Sequence, residues 1–463
     1  MITKIEIKGF KSFFDFKMEF TPLTVIAGYN GAGKSNLFDA LMLLADLATG
    51  KMNLKEIFKK QRGGDDFEQL FTKIDDDVFI NKMSFRVEML VSRKIKDDWN
   101  NEAEVLYPRL CYELEIERFD NNLRNPDLKI IKENLEIITI KNDKWIKIIS
   151  QQYKEFWKPN NSKERLTPYI ETKDDKIFVS QDGQQGQRRS YKLGSSQTVF
   201  TDFNTTDFPH VLAAKQEMKS WRFLQLNPAD LRQPTKKQES DTISPTGKNL
   251  AYALFRIVQN DNYILTKIGR KLNQFLSYFV AVEVVDDTAN QRYIIKLKGD
   301  DNKWFSSEVL SEGTLRLLAL CILQYDEKFT GLICFEEPEN GVHPYRIKPT
   351  TELLKNLTVD FSDKTSSLRQ VIINTHSPIV LAEMLKLQDD RNVFVWFAEQ
   401  KTTINPAGYP NTKLKQTNFA RVEKQTQAEF FTFENTMPLH VAIEKLEKTD
   451  TENILPDLKT EKE

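Results

Sequence analysis

Cysteine is scarce: Cys111, Cys321 and Cys334 are the three in 463 residues, isolated along the chain and odd in number. That argues against a disulfide framework and for a reducing, cytoplasmic setting. Two of them sit in apolar runs, where a free thiol packs as a small hydrophobe. Charge of one sign is lacking too. Lys+Arg 66 against Asp+Glu 67 leaves a net charge of −1, which supplies no overall pull toward nucleic acid or an anionic membrane. Any such contact has to come from a local patch. No signal pattern opens the chain and no apolar run reaches the ~18 residues of a membrane span, so neither export nor a membrane partner is expected. No internal repeat occurs, and no heptad pattern is sustained long enough for an extended coiled coil. The length exceeds that of a usual single core and predicts two lobes, or one core with large insertions.

What is present is most informative near the start. Gly28-Tyr29-Asn30-Gly31-Ala32-Gly33-Lys34-Ser35 follows the β-like run Leu23 to Ala27 and precedes Leu37, Leu41, Leu44 and Ala48 at helical spacing, with Gly50 placed to end the helix. This is the strand–loop–helix context of a Walker A phosphate loop. Its glycines let backbone N–H groups face phosphate, and the helix N-terminus adds its dipole. Asn30, Gly31, Ala32, Gly33, Lys34, Ser35 and Asn36 are therefore the candidate ATP-binding set, Lys34 for the β/γ-phosphates and Ser35 for Mg²⁺. A glycine-rich turn matching by chance is the plain alternative.

The opening alternates apolar and polar residues, as in Ile5-Glu6-Ile7-Lys8, which predicts strands before the loop. From Met83 to Phe200, strand-like runs separated by polar stretches predict an antiparallel β lobe. Ser180 to Ser196, with Arg188, Arg189 and Lys192, reads as a solvated loop, with nucleic-acid contact as the sharper alternative. A polar linker between Leu231 and Asn249 marks a lobe boundary. Helical patterns follow at Leu250 to Val258 and Ile264 to Phe279. The expected division is an N-terminal lobe over 1–232, a C-terminal lobe over 233–400 and an extension over 401–463 with a disordered charged end.

A second cluster lies in the C-terminal lobe. Leu310-Ser311-Glu312-Gly313-Thr314 precedes a helical pattern, which puts Ser311 and Gly313 at a helix N-terminus and makes a second anion site. Gly331 to Glu337 is an apolar strand ending in two carboxylates whose side chains alternate across it. Glu336 is the candidate metal ligand with Ser35, and Glu337 the candidate catalytic base. Paired acids ending a strand at the surface are the plain alternative. Val371 to Asn374 reads as a buried strand that delivers His376 to the crevice where open α/β sheets bind ligands. His210 and His440 read as structural, and His343 as intermediate because its loop adjoins the acids.

Taken in order, these elements resemble the ATP-binding-cassette ATPases of the structural-maintenance-of-chromosomes (SMC) and RecF type. They are most similar to the ATPase of overcoming-lysogenization-defect (OLD) proteins and its stand-alone relatives in bacterial defence. The resemblance rests on Ile5 to Phe13, the phosphate loop, Leu310 to Thr314 as signature, Phe335 to Pro344 as Walker B plus D-loop and Asn374 to Pro378 as switch, with Trp221 to Pro234 and Asn249 to Leu254 as connecting segments. It implies an α/β P-loop NTPase fold of ABC/SMC-head type, a mixed core sheet flanked by helices, with an antiparallel β lobe. It also implies ATP and Mg²⁺ sandwiched between two heads, the signature of one chain facing the phosphate loop of its partner. Ser311 and Gly313 would then reach the γ-phosphate in trans, Glu337 and His376 would be catalytic, and Gln225 and Arg62 would be weaker nucleotide contacts.

Two departures stand out: Glu336 replaces the usual Walker B aspartate, and Pro349 falls where a helix should run. The function implied is an ATPase whose ATP-gated homodimer or larger homo-oligomer senses or regulates a separate effector, a nuclease, in anti-phage defence. A RecF-like DNA-binding clamp is the alternative, which leaves DNA as a second partner, and a scaffold that binds ATP without turnover is a third reading. A transporter subunit is disfavoured because Ser35 and Ser311 lie too far apart along the chain. After Pro378 no second set of strand-end carboxylates follows and Asp389-Asp390 reads as a surface turn, so no nuclease activity is expected in this chain. Leu439, Ala442, Ile443 and Leu446 form a stripe for core packing or for an effector.

Overall fold

The computed structural model describes residues 1–463 except 51, 76–77, 150–155, 160–166, 183–187, 241, 390, 424–435 and 448–463. Asp390 and most of the charged end therefore lie outside the described residues.

A seven-stranded sheet runs in the order Arg222–Leu224, Gly331–Glu336, Arg369–Thr375, Leu23–Ala27, Val393–Ile404, Lys413–Glu423 and Thr436–Pro438. The first five strands are mutually parallel, and Lys413–Glu423 joins antiparallel to Val393–Ile404. The sheet is mixed, and it separates two hydrophobic cores. Because side chains alternate along a strand, Leu332, Cys334 and Ile372 enter one core while Ile333, Phe335, Val371 and Ile373 enter the other. Such strands are buried on both faces, which is why they read as continuous apolar runs.

The first core is closed by an eight-stranded sheet whose pairings are all antiparallel, ordered Arg188–Lys192, Lys176–Ser180, Ile170–Lys173, Pro126–Ile137, Arg109–Asp120, Lys82–Leu90, Ile2–Phe10, Phe13–Glu19. Helix Lys34–Thr49 contributes Leu37, Leu41 and Leu44 to this core and ends at Gly50, which takes the left-handed φ of 68° that glycine tolerates. The second core receives helices Leu250–Asn260, Tyr263–Phe275, Glu312–Gln324, Ile347–Asn356 and Pro378–Lys386. A smaller sheet, with Arg292–Gly299 at its centre and Phe279–Asp287 along one edge, precedes Leu310 to Thr314.

Some expectations shift. Ser180 to Ser196 is not a loop throughout, because Arg188–Lys192 pairs with Lys176–Ser180 as the outermost strand of the antiparallel sheet. The helix expected up to Phe279 stops at Phe275, and Phe279 opens a strand paired with Arg292–Gly299. Pro349 is accommodated by a late start: helix Ile347–Asn356 holds it in the first turn, where its missing N–H costs no intrahelical bond. Asp389 closes a short 3-10 turn at Leu387–Asp389. Residues 401 onward supply strands to the central sheet, and helical residues 439–447 bury Ala442 and Leu446 in the second core. Cys111, Cys321 and Cys334 are all buried and free.

Candidate functional site

The parallel register sets the site. Glu336 lies beside Asn374, and Thr375 beside Ala27, so three strands end together at one edge of the sheet. The loop after Ala27 enters helix Lys34–Thr49 with Gly31 at φ 82° and Gly33 at φ 90°. Gly33 also has no room for a Cβ, which would collide with the Thr417 side chain, and at Gly28 a Cβ would lie 2.6 Å from the Ala398 carbonyl. The loop is thus set against the hairpin of Val393–Ile404 and Lys413–Glu423. Gln400 donates its N–H to Tyr29 Oη at 2.9 Å and its Nε2 to the Gly31 carbonyl at 2.8 Å. Thr417 donates to the Ala32 carbonyl at 3.1 Å and shares a 2.7 Å hydrogen bond with Ser12.

Lys34 is 7% exposed, and its ammonium donates to the carbonyls of Gly28 at 2.6 Å and Tyr29 at 3.0 Å. Burial lowers its pKa, opposed by the nearby Glu337, Glu339 and Glu336 carboxylates. Ser35 donates to Glu336 Oε1 at 2.9 Å, and Asn374 Nδ2 donates to the same oxygen at 3.3 Å. Asn36 faces elsewhere: its Nδ2 donates to Ser12 at 2.7 Å, beneath the loop. Asn30 is exposed at the loop's crest, between the half-buried Tyr29 and the exposed Gly31.

Glu337 lies just outside the strand, which ends at Glu336, and it carries the left-handed φ of 45°. Strand alternation therefore does not separate the two carboxylates; the backbone turn does. Glu337 Oε1 meets His376 Nδ1 at 3.0 Å, and Oε2 accepts from Asn340 Nδ2 at 2.7 Å. Its own N–H donates to the Asn374 carbonyl and Oδ1, both at 3.1 Å. A non-glycine residue held in this conformation by several bonds is the kind of strain that concentrates at functional sites.

Glu339, unassigned from the sequence, belongs to the same cluster. Its Oε1 accepts from the Thr375 hydroxyl, its Oε2 is buried without a hydrogen-bond partner, and burial raises its pKa. Thr375 also accepts the Gly28 N–H at its carbonyl and the Ser377 N–H at its hydroxyl.

Ser311 caps helix Glu312–Gln324 by accepting the Thr314 N–H and stays exposed. Gly313 is buried against the loop after the acids, where a Cβ would lie 2.6 Å from the Gly341 carbonyl. Lys34, Ser35, Glu336, Glu337 and His376 thus converge within one chain, joined by hydrogen bonds or by the charges acting on Lys34. The Ser311 hydroxyl bonds Thr314 and its carbonyl accepts the Leu315 N–H, both within its own helix. Gln225 follows the strand that pairs Leu224 with Phe335, which puts it at the same sheet edge, exposed. Arg62 is 61% exposed at its side chain and pairs with Asp39 at 2.7 Å. His210 is structural: it accepts the Tyr107 N–H and bonds Asp182. His440 is exposed. His343 stacks on the exposed Tyr345.

Glu339 and Thr375 lie inside motifs legible in the sequence. Thr417 and Gln400 carry no signal, since nothing local reveals which distant strand braces a loop, and Ser12 lies within the Ile5 to Phe13 motif with nothing to mark its partners.

A family model described as an AAA domain, putative AbiEii toxin, type IV TA system, matches residues 23–382. The DNA double-strand break repair Rad50 ATPase of Archaeoglobus fulgidus is 28% identical over 113 residues, 24% of this chain and 13% of that protein. Structural maintenance of chromosomes protein 1 of Arabidopsis thaliana is 35% identical over 89 residues, 17% of this chain and 7% of that protein. This chain thus spans a small part of either relative. Among solved structures, an Smc head bound to the C-winged helix domain of ScpA aligns with TM-score 0.49 at 11% identity, covering 90% of this chain and 98% of that one. The SMC head domain from Thermotoga maritima aligns with TM-score 0.36 at 14% identity, covering 91% and 99%. Among the described residues no helix is long and apolar enough to cross a membrane.

Proposed function

The chain belongs to the AAA-domain family of putative AbiEii toxins, and on that premise we propose that it binds and hydrolyses ATP with Mg²⁺ as the switch of a separate effector. The observation that carries the reading is the convergence of Lys34, Ser35, Glu336, Glu337 and His376 at one sheet edge. The donor set fits the ligand. A buried ammonium curled back onto its own loop carbonyls suits a polyphosphate, and a serine hydroxyl on a carboxylate suits a hard divalent cation.

Bound ATP with Mg²⁺ supplies the phosphoanhydride bond that is cleaved. Lys34 holds negative charge, Ser35 and Glu336 hold the cation, and Glu337 Oε1 accepts the proton of the attacking water while Asn340 and His376 orient its carboxylate. Ser311, exposed at a helix N-terminus, suits a phosphate presented by a second copy, which makes a homodimer the competent form. Gln225 is assigned to the metal edge. An N-terminal lobe over 1–232 and a C-terminal lobe over 233–400 that share the central sheet, an effector nuclease encoded separately, and a cytoplasmic setting complete the proposal. A second reading, a DNA-repair clamp, is favoured by the local similarity to Rad50 and SMC proteins.

The decisive measurement is phosphate release by the purified chain. Glu337→Gln should lower it about 100-fold or more while ATP binding persists, and Lys34→Ala should remove binding. A wild-type protein that binds ATP without releasing phosphate would refute hydrolysis. Neighbouring genes decide the biology: an adjacent nuclease frame supports the effector switch, and a replication or repair cluster supports the clamp.

A further inference from the structure

A second cavity lies apart from the phosphate loop. A cleft of about 640 Å³ opens between helix Lys34–Thr49 and the residues Ser240, Thr242 to Pro245 and Asn249, with strand Arg222–Leu224 along one side. No residue of the loop from Gly28 to Ser35 lines it. Its volume is that of small-molecule sites, which run about 300–1,000 Å³.

Its surfaces divide by chemistry. Phe38, Met42, Phe223 and Ile243 give an apolar floor, with the Phe38 and Phe223 rings edge-to-face at 5.8 Å. The acids on the helix wall are already engaged: Asp39 takes Lys11 at 2.6 Å and Arg62 at 2.7 Å, and Asp46 takes Gln61 Nε2 at 2.9 Å. Two polar groups are not engaged. Half-buried Arg222 has no hydrogen-bond or ion-pair partner among the described residues, and neither has the carboxamide of Asn249, which is 8% exposed. A guanidinium partly withdrawn from water beside an apolar floor calls for an anion carried on an apolar body.

We propose that this cleft is a second ligand site, for a nucleoside-monophosphate-type molecule. Its phosphate bonds Arg222, its planar base lies on the half-buried Phe223 ring, and the Asn249 amide hydrogen-bonds the base edge. The occupant would touch both the helix that starts at Lys34 and the strand that ends beside Gln225 and Glu336.

Calorimetry with AMP on the Lys34→Ala protein, in which the phosphate loop is silenced, tests it. One AMP per chain is expected, bound in the submillimolar range, with inorganic phosphate alone binding far more weakly. Adding Arg222→Gln should weaken AMP at least tenfold, the effect of losing a charge-assisted bond. Should that variant fail to fold, Met42→Trp, which fills the floor and leaves every charge in place, must produce the same loss. Absence of AMP binding at low millimolar concentration, a smaller loss in the folded variant, or equal binding of inorganic phosphate overturns the proposal. Wild-type ATP turnover is read in parallel. Its absence would refute the hydrolysis argued above and leave this site standing.

Discussion

Glu133 offers the sharpest test of the energetics linking the antiparallel lobe to the phosphate-loop helix. It is fully buried in strand Pro126–Ile137; Oε1 accepts from the Tyr112 hydroxyl and Oε2 from the Val199 N–H, both at 3.0 Å. Next to Val199, Thr198 bonds the Leu47 carbonyl at 3.2 Å, in the last turns of helix Lys34–Thr49. Burial pushes the Glu133 carboxyl up to about 7, with the two hydrogen bonds pulling the other way. A carboxyl whose folded pKa exceeds its unfolded 4.5 stabilises the fold fully below the unfolded value and loses that contribution as pH rises through 7. Between about pH 5 and about pH 8 the loss is about 2–3 kcal/mol.

Glu133→Gln keeps the shape, accepts from Val199, can donate to Tyr112, and does not titrate. For a chain of this length the difference amounts to about 2–3 °C in melting temperature. Scanning calorimetry of both proteins should therefore show the variant level with wild type near pH 5 and ahead of it near pH 8. The protection of the Val199 amide in wild type, its exchange rate relative to the intrinsic rate at each pH, should fall over the same interval. A melting difference that is the same at both pH values would refute the reasoning.

Two further substitutions probe the site. Gly313→Ala places a methyl 2.6 Å from the Gly341 carbonyl, an overpacking of about 1–3 kcal/mol. It should slow ATP turnover more than it weakens ATP binding, and unchanged turnover would show that the loop after the acids tolerates displacement. Thr417→Val removes the hydroxyl shared by Ser12 and the Ala32 carbonyl, about 1–2 kcal/mol of bracing. ATP affinity should fall several-fold by fluorescence titration, and an unchanged value would mean that Gln400 alone holds the loop.

The parts of the site legible in the sequence are those whose physics is local. Gly31 and Gly33 occupy left-handed backbone, Leu23 to Ala27 is buried on both faces, and Ser311 caps its own helix. Each of these leaves a mark within a few residues. The left-handed turn at Glu337 leaves none, because glutamate has no preference for it; the two bonds of its N–H to Asn374 hold it there. Strand alternation was therefore a sound rule applied one residue past the strand's end. The strand at Arg188–Lys192 reads as loop in the sequence because its residues are polar, and only pairing with Lys176–Ser180 identifies it. Thr417 and Gln400 lie hundreds of residues from the loop they brace, in a hairpin whose own pattern says only that it is a hairpin.

The loop from Glu337 to Val342 acquires its importance from being held at several points. Asn340 is tied to Glu337, Glu339 to Thr375, and Gly341 abuts Gly313 and the Glu312 side chain with no space for a methyl group. Thr375 in turn receives the Gly28 N–H at the root of the phosphate loop. Packed contacts of this kind move together, because interiors at crystal-like density do not compress. A shift of the helix that begins at Ser311 therefore cannot occur without moving Gly341, and Gly341 is joined through Glu339 and Thr375 to Gly28. Glu339 is the vulnerable member of that chain of contacts. One oxygen is spent on Thr375 and the other is buried without a partner, so any movement that opened the loop would rehydrate a carboxyl that closure strips of water.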